Sequence, residues 1–236
     1  MDQFSRSSLL LGRDNINKLN NAHVAVFGVG GVGGYVCEAL ARTGVGIFDL
    51  IDNDTVSLTN INRQIIATYD TVGKDKVDVM KDRILSINPN ALVRVHKTFV
   101  LPENISDFDF KKYDYVIDCI DTVSAKLALA VKCNELNVRI ISSMGAGNKF
   151  DPMAFKIADI NQTSGDPLAR VMRYELKKRD IKHLKVCYST ELKATPVEES
   201  EEELNGARRA IPGSLAFVPS ACGLLIASEV IKDLIK

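Results

Sequence analysis

Continuous apolar runs and amphipathic segments alternate along the chain through Ser143. The runs predict strands at Val24–Phe27, Gly46–Ile51, Leu92–His96, Tyr113–Ile120 and Arg139–Ser143. The segments between them predict helices at Tyr35–Thr43, Lys74–Ile87 and Ser124–Leu136, the last with Ser124 as its N-cap. Strands that are separated by helices form parallel sheets with helices on both faces. The pattern therefore predicts an α/β fold with a Rossmann-like, mainly parallel sheet.

The pattern changes after Gly147. We expect a strand at Phe155–Ile160, a helix that Asp166-Pro167 opens and that runs to Arg179, and a strand at Lys185–Thr190, which extend the sheet with antiparallel strands. A last strand is predicted at Ser214–Val218, before a C-terminal helix. Because its apolar part, Ala216–Ile231, is shorter than the roughly 20 residues of a membrane span, we interpret that helix as buried. The acidic segment Thr195–Arg209 is typical of a mobile crossover loop.

These elements predict one adenylate-forming domain over residues 1–236, with a nucleotide-binding half at 1–150 and a substrate half, including the crossover loop, at 151–236. Thirty basic and thirty acidic residues cancel, so nucleic acid would have to bind a local patch. The five cysteines are odd in number and widely spaced, and the N-terminus lacks the apolar stretch of a signal peptide. We therefore expect a cytoplasmic protein with reduced thiols and no stable membrane insertion.

A glycine-rich turn follows the first predicted strand and holds Gly28, Gly30, Gly31 and Gly33. Glycines at such a turn let an anion approach the backbone amides at a helix N-terminus, because no Cβ stands in the way. Asp52 ends the second strand, where its carboxylate is placed to accept both hydroxyls of a ribose. The alternative for the glycines alone is a tight structural turn.

A polar segment, Val56–Asp70, has neither helical nor strand periodicity and is long for a loop inside a domain, which favours a functional role. It contains Asn60, Arg63 and Gln64, and Lys76 lies in the first turn of the next helix. Arg63 and Lys76 suit phosphate binding. The planar guanidinium of Arg63 can donate two hydrogen bonds to phosphate oxygens, and the ammonium of Lys76 acts as a point charge. The alternative for either residue alone is a surface salt bridge.

Five motifs in order resemble the ATP-binding fold of ubiquitin-activating enzymes and their bacterial ThiF, MoeB and HesA relatives. They are the glycine turn, Asp52-Asn-Asp54, Thr59-Asn-Ile-Asn-Arg-Gln64, Val72-Gly-Lys-Asp-Lys76 and Asp118-Cys-Ile-Asp121. Four further segments are most similar to the tRNA threonylcarbamoyladenosine dehydratases of that superfamily: Met144-Gly-Ala-Gly-Asn, Asp151-Pro, Asp166-Pro-Leu-Ala and Val186-Cys-Tyr-Ser-Thr-Glu191. The resemblance covers nearly the whole chain. It implies an enzyme that uses ATP to adenylate the carboxylate of the modified nucleoside, which then cyclises and releases AMP.

The resemblance also implies roles for individual residues. Arg63 and Lys76 neutralise the phosphates, Asn60 and Gln64 hold the loop or the phosphates, and Asp54 supports the nucleotide or a metal. Asp121 carries Mg²⁺, a hard cation that suits one carboxylate with phosphate oxygens; the alternative is that Asp121 caps the next helix. Arg6 reaches the phosphates of a neighbouring subunit, which implies a homodimer. Sulfur-transfer proteins of a cysteine desulfurase system are implied partners.

The main alternative function is ATP-dependent adenylation of the C-terminus of a ubiquitin-like sulfur-carrier protein. Those adenylating enzymes often hold zinc between two C-x-x-C pairs, and the chain has no such pair, so we expect no zinc. A nicotinamide oxidoreductase would use the glycines and Asp52 but would leave Arg63, Lys76 and Asp121 without a purpose. A nucleotide sensor without turnover is the third alternative. Cys187, on a strand, is interpreted as a buried small apolar residue.

Three basic residues of the helix that Asp166 opens recur at spacings of three and four, namely Arg170, Arg173 and Lys177. They share one helix face and are candidates for contacts with tRNA phosphates. The alternative is a solvated charged face. Arg208 and Arg209 are the next candidates.

Overall fold

The computed structural model describes residues 2–198 and 212–236. Its strands are β1 (His23–Phe27), β2 (Ile47–Ile51), β3 (Leu92–His96), β4 (Tyr115–Asp118), β5 (Ile140–Ser143), β6 (Phe155–Asp159) and β7 (Lys185–Ser189). Its α-helices are α1 (Ser5–Leu11), α2 (Arg13–Asn21), α3 (Gly33–Thr43), α4 (Lys76–Ile87), α5 (Val123–Leu136), α6 (Pro167–Lys178) and α7 (Phe217–Ile235). Every strand predicted before Gly147 is present to within two residues at each end.

The seven strands form one sheet in the order β3-β2-β1-β4-β5-β7-β6. All neighbours pair in parallel except β6 and β7, which are antiparallel. The predicted α/β class is therefore confirmed, with one difference in detail. We expected antiparallel strands in the C-terminal part, yet β7 runs parallel to β5 and only β6 is reversed. The helix α6 connects β6 to β7, so at this end of the sheet a helical connection joins two antiparallel neighbours.

Strand β1 is buried on both faces, as the central strand of a parallel sheet should be. Val24 and Val26 belong to an apolar cluster shared with α3 and α7, whereas Ala25 and Phe27 belong to a second cluster shared with α5. Successive side chains of a strand point to opposite faces. The alternation within one pentapeptide thus confirms that helices cover both sides of the sheet.

Two local predictions were wrong. Ser214–Val218 is not a strand, because α7 begins at Phe217 and buries Val218; a short apolar run does not distinguish a strand from the start of a buried helix. Ser124 does not cap α5, since the N-cap residue is Thr122. The helix that Asp166 opens is confirmed, and the Asp166 carboxylate accepts a hydrogen bond from the Ala169 amide at 2.8 Å.

Most of the predicted crossover loop, Thr195–Arg209, lies outside the described residues, and so do Arg208 and Arg209. The C-terminal segment that we interpreted as a buried helix is α7, whose residues include Cys222, Ile226 and Val230 of the core. Within the described ranges, no helix combines the length and the apolar character that crossing a membrane requires.

Candidate functional site

A cavity of about 550 Å³ lies at the carboxyl edge of the sheet, above the point where the strand order reverses between β1 and β4. Ligands of open α/β sheets bind at such a switch point. Ten of the predicted site residues line it: Gly28, Gly30, Gly31, Asp52, Asp54, Asn60, Arg63, Gln64, Lys76 and Asp121. Gly33 and Arg6 do not. The fold thus brings together residues that are spread over almost one hundred positions of the sequence.

The glycine turn is tight because its backbone packs against the β4–α5 connection. Gly28 has a φ of +89°, and a Cβ there would lie 2.8 Å from the carbonyl oxygen of Cys119. At Gly33 a Cβ would lie 1.8 Å from the Gly28 oxygen, so Gly33 is a packing residue. Gly30 has open space around it, with no atom closer than 3.8 Å to an added Cβ. Gly28 and Gly33 therefore serve the tight turn, whereas the open space at Gly30 lets an anion approach, so the two interpretations of the glycines are compatible.

Asp52 ties the glycine turn to the end of β2. One carboxylate oxygen accepts the Val29 amide at 2.7 Å, and the other accepts the Asp54 amide at 2.9 Å. Each oxygen keeps a further lone pair that can accept a hydroxyl. A role in binding ribose stays a prediction, and Asp52 has in addition a structural role that the sequence did not indicate.

The polar segment brings three predicted residues to one wall of the cavity. Asn60 is buried, and its side-chain oxygen accepts the Ser57 amide at 3.2 Å. Gln64 is also buried, yet its Oε1 has no hydrogen-bond partner among the described residues. An unpaired buried polar atom carries a desolvation penalty that a bound ligand can remove. Gln64 is therefore a stronger candidate for a ligand contact than Asn60, whose side chain holds the loop.

Arg63 lies on the same segment, where its Nη1 donates to the Thr59 carbonyl and to Asn62 Oδ1, both at 2.9 Å. Partial burial lowers the pKa of the Arg63 guanidinium, although arginine stays charged at physiological pH. Its hydrogen-bond partners are neutral, so the positive charge is not neutralised by these contacts. Arg63 thus offers a positioned cation to the cavity.

Lys76 is the first residue of α4, and its buried Nζ lies 2.7 Å from Asp54 Oδ2. The Asp54 side chain is 58% exposed, so it holds the ammonium from the solvent side. The sequence motifs predicted both residues for the site but not that they form an ion pair. In this arrangement Asp54 fixes the direction of the lysine side chain.

Asp121 follows β4 and is exposed at the mouth of the cavity. Thr122 Oγ1 contacts its carboxylate at 3.3 Å, and Thr122 rather than Asp121 is the N-cap residue of α5. The alternative role of Asp121 as a helix cap is therefore wrong. An accessible carboxylate of this kind fits a Mg²⁺ ion that takes its other ligands from phosphates and water.

A buried ion pair supports the connection that carries Asp121. Lys126 Nζ lies 3.0 Å from Asp118 Oδ2, and neither side chain is exposed. The same ammonium donates to the Ile120 carbonyl at 3.1 Å, and the Ile120 amide donates to Asp118 Oδ1 at 3.2 Å. Both backbone groups of the residue before Asp121 are thereby fixed.

Two further cavities continue along the same edge of the sheet. The second, about 540 Å³, shares Gly31, Arg63, Cys119 and Asp121 with the first. The third, about 190 Å³, shares Gly147 and Pro212 with the second, and it is also lined by Gly145, Lys149 and Asp166. Arg63 and Asp121 thus stand at the boundary between the nucleotide-sized first cavity and its neighbour.

Sequence reasoning missed several lining residues. Thr98, Phe99 and Val100 enclose the first cavity from the end of β3. Their signal was available, because every parallel strand of such a sheet sends its carboxyl end to the same edge. Gly145 and Asp166, in the third cavity, belong to two of the four segments that carried the resemblance to dehydratases, but no role in binding or catalysis followed from that resemblance.

The predicted basic face of α6 is divided by its contacts. Arg170 and Lys177 are exposed, whereas Arg173 is half-buried and donates to the Ile160 and Thr163 carbonyls at 3.3 and 3.1 Å and to the Thr163 hydroxyl. The neighbouring Lys178 and Arg179 pair with Glu175. Arg170 and Lys177 are therefore the better candidates of the three for contacts with a nucleic acid.

Comparisons with known proteins agree with this geometry. The model of the ThiF family matches residues 4–236. A protein of Bacillus subtilis (strain 168) named tRNA threonylcarbamoyladenosine dehydratase is 44% identical over 243 residues, which cover 100% of this chain and 96% of that protein. The crystal structure of Escherichia coli TcdA in complex with ATP superposes with a TM-score of 0.88 and 35% identity over 98% of this chain and 93% of that chain. The complex of the same enzyme with AMP gives a TM-score of 0.89, with equal identity and coverage.

Proposed function

The chain belongs to the ThiF family, and from that premise we propose that it is an ATP-dependent tRNA threonylcarbamoyladenosine dehydratase. The observation that carries the proposal is the pair of adjoining cavities that share Arg63 and Asp121. A nucleotide in the first cavity and an acyl substrate in the second would meet beside these two residues. Dehydratases that are similar over the full length of this chain support the choice of substrate.

In the first step the substrate carboxylate attacks the α-phosphorus of ATP, a new P–O bond forms, and pyrophosphate leaves. Negative charge grows on the phosphoryl oxygens, so fixed cations lower the barrier. Arg63 and Lys76 supply these charges from two walls of the cavity. Asp121 would hold Mg²⁺, which when bound neutralises phosphate charge. Hydrogen bonds to both backbone groups of Ile120 fix the backbone that leads into Asp121.

In the second step the acyl-adenylate closes into a ring and expels AMP. Attack of the ureido nitrogen attached to adenine on the acyl carbon closes a five-membered ring, and the attack gains from being intramolecular. No thioester with the enzyme is needed. Cys187 is fully buried, and the hydrogen bond with Cys222 together with burial raises the pKa of its thiol, so it stays protonated. The interpretation of Cys187 as a buried small residue is confirmed.

The direct test is to incubate the protein with ATP, Mg²⁺ and tRNA that carries threonylcarbamoyladenosine, and then to weigh the nucleosides after digestion. We expect the modified nucleoside to lose the mass of one water only when ATP is present. Exchange of labelled pyrophosphate into ATP should depend on the modified tRNA. Exchange that depends on a carrier protein instead would identify the sulfur-carrier alternative, and tight NADH binding would identify an oxidoreductase.

We also propose that the protein is a homodimer in which Arg6 serves the partner's site. Arg6 is exposed on α1 and does not line any of the three cavities described above. Leu9 and Leu10 of the same helix are 85% and 90% exposed, which is unusual for large apolar side chains and favours an interface. Light scattering that gives the mass of a monomer would contradict the dimer. Docking of sulfur-transfer proteins stays a prediction.

For the tRNA we propose a contact surface on α6 that consists of Arg170, Tyr174 and Lys177. All three are exposed, and Tyr174 is 62% exposed. Cations bind phosphates without reading sequence, and an exposed aromatic ring can stack on an unpaired base. Such a surface suits an anticodon loop, where the modified nucleoside lies.

Replacing both Arg170 and Lys177 with alanine is expected to weaken tRNA binding by about tenfold. The slope of log affinity against log salt concentration should also fall, by the amount that corresponds to the loss of about two phosphate contacts. Filter binding at several salt concentrations measures both quantities, and ATP affinity should not change. The matched control is Lys111→Ala with Lys112→Ala, which removes two exposed lysines elsewhere. Equal losses in the two double variants would place the RNA on another surface.

A further inference from the structure

Asp166 carries a buried carboxylate oxygen for which the described part of the chain offers no partner. Its Oδ1 caps α6 by accepting the Ala169 amide at 2.8 Å, whereas its Oδ2 has no hydrogen bond. The residue is only 4% exposed. A buried charged oxygen without a partner is costly, and capping needs only one of the two oxygens. The second oxygen therefore calls for another explanation.

The location of this oxygen is informative. Asp166 lines the third cavity, and Oδ2 lies 3.7 Å from the position of a Cβ added to Gly145, in the segment that follows β5. Strands β4 and β5 are neighbours, about 4.8 Å apart as in any sheet. Asp121 follows β4, and the second cavity joins the space around Asp121 to that around Gly147. The three cavities thus form a row in which the proposed nucleotide cavity comes first, the proposed cavity for the acyl substrate second, and the cavity that Asp166 lines third.

The cations of the third cavity do not satisfy this carboxylate. Lys149 is buried there, but its Nζ donates to the Glu191 carbonyl at 2.8 Å, and Lys193 also lines the space. Oδ2 is closed to solvent in this structure, so an N–H donor that enters from the second cavity would reach it only when the cavity wall shifts, and it would then displace no hydrogen-bond partner within the described residues. The ureido group of the proposed substrate is such a donor.

We propose that Asp166 is the general base of ring closure, an inference that rests on the proposed function. The N–C bond forms between the ureido nitrogen attached to adenine and the acyl carbon, and the C–O bond to AMP breaks. The proton of that nitrogen moves to Asp166 Oδ2, and AMP leaves with the electron pair of the broken bond. The protonated Asp166 then returns its proton to water.

This role separates the two halves of the reaction in space. Arg63 and Lys76 are cations, and Asp121 is assigned to Mg²⁺, so none of these three residues is a free base for the proton of the ureido nitrogen. A positioned general base contributes about 10²–10⁴-fold to such a step. Asp166 also lies in a segment that resembles dehydratases, which need ring closure, and adenylation gives that segment no role.

The test uses Asp166→Asn in the full-length protein. Asparagine caps a helix as well as aspartate does, so the variant keeps the hydrogen bond to Ala169 and loses only the basic oxygen. We expect pyrophosphate exchange with modified tRNA to stay within about threefold of the parent while cyclic product forms at least about 100-fold more slowly. The acyl-adenylate should accumulate, and hydroxylamine should trap it as a hydroxamate.

A second variant, Asp166→Ser, also keeps the cap and leaves space in the cavity. We expect added formate to restore part of its rate of ring closure and to do nothing for Asp166→Asn, in which the amide fills the space. Parent-like ring closure in Asp166→Asn would overturn the proposal. So would equal losses of exchange and ring closure, which indicate a role in adenylation or folding. Absence of tRNA-dependent exchange in the parent protein would instead overturn the proposed function.

Discussion

Replacing Asp121 with asparagine is expected to lower dehydration turnover by about 10²–10³-fold and to leave the fold intact. The carboxylate is exposed at the mouth of the nucleotide cavity and has one long contact, at 3.3 Å from Thr122 Oγ1. It contributes little to the core, so its charge is free to serve the reacting phosphates. Removal of one such charge from a developing transition state typically costs about 3 kcal/mol.

The measurement compares pyrophosphate exchange and cyclic product over a range of Mg²⁺ concentrations. Asp121→Asn should need more Mg²⁺ and should reach a lower maximum, while its thermal midpoint matches that of the parent. Asp70→Asn is the matched control, because it removes an exposed carboxylate that does not line the cavity. Turnover of Asp121→Asn within about threefold of the parent would remove this residue from the mechanism.

Dimers formed by mixing two variant subunits, one of which carries Asp121→Asn, test whether Arg6 acts across the proposed dimer interface. A heterodimer of Arg6→Ala and Asp121→Asn subunits contains one complete site if Arg6 acts across the interface and none if it acts within its own chain. Random association of equal amounts should recover about a quarter of the parent activity in the first case. Recovery would also show that the Asp121→Asn subunit folds well enough to supply a working Arg6.

The fold was predictable because local patterns determined it. Val24–Phe27 is apolar at every position and leads into glycines, which predicts a strand buried on both faces and a turn. Gly28 shows why the turn required that residue, since its φ of +89° and the nearby Cys119 oxygen exclude a side chain. Patterns were weaker at Ser214–Val218, where a short apolar run proved to be the first turn of α7.

Side-chain partners were not predictable, since they depend on residues that are distant in sequence. Asp166 was identified as a helix cap, and that role was right, but nothing local indicates that its second oxygen is buried without a partner. Arg173 shares its spacing with Arg170 and Lys177, yet it binds carbonyls of the preceding turn and is not a free surface cation. Periodicity places a side chain on a helix face, whereas its partner depends on the rest of the fold.

Lys76→Met is expected to lower turnover by about a hundredfold, close to the effect at Asp121, because it removes a fixed cation from the phosphates. Methionine fills a similar volume, and the Asp54 carboxylate that loses its partner is 58% exposed and stays solvated. The variant should therefore fold normally. Lys97→Met is the matched control, because Lys97 pairs with Asp75 and Asp78 on the surface and does not line the cavity.

The ion pair allows a sharper test of how Lys76 acts. If Asp54 serves only to direct the Lys76 ammonium, Asp54→Asn should cost turnover about tenfold or less, and the double variant should be no worse than Lys76→Met alone. If Asp54 binds the nucleotide or a metal in its own right, the two losses should multiply. A complete double-mutant cycle of kcat/KM for ATP separates these outcomes. The 2.7 Å contact favours the first outcome, since it fixes the Lys76 ammonium at the wall of the cavity before ATP binds.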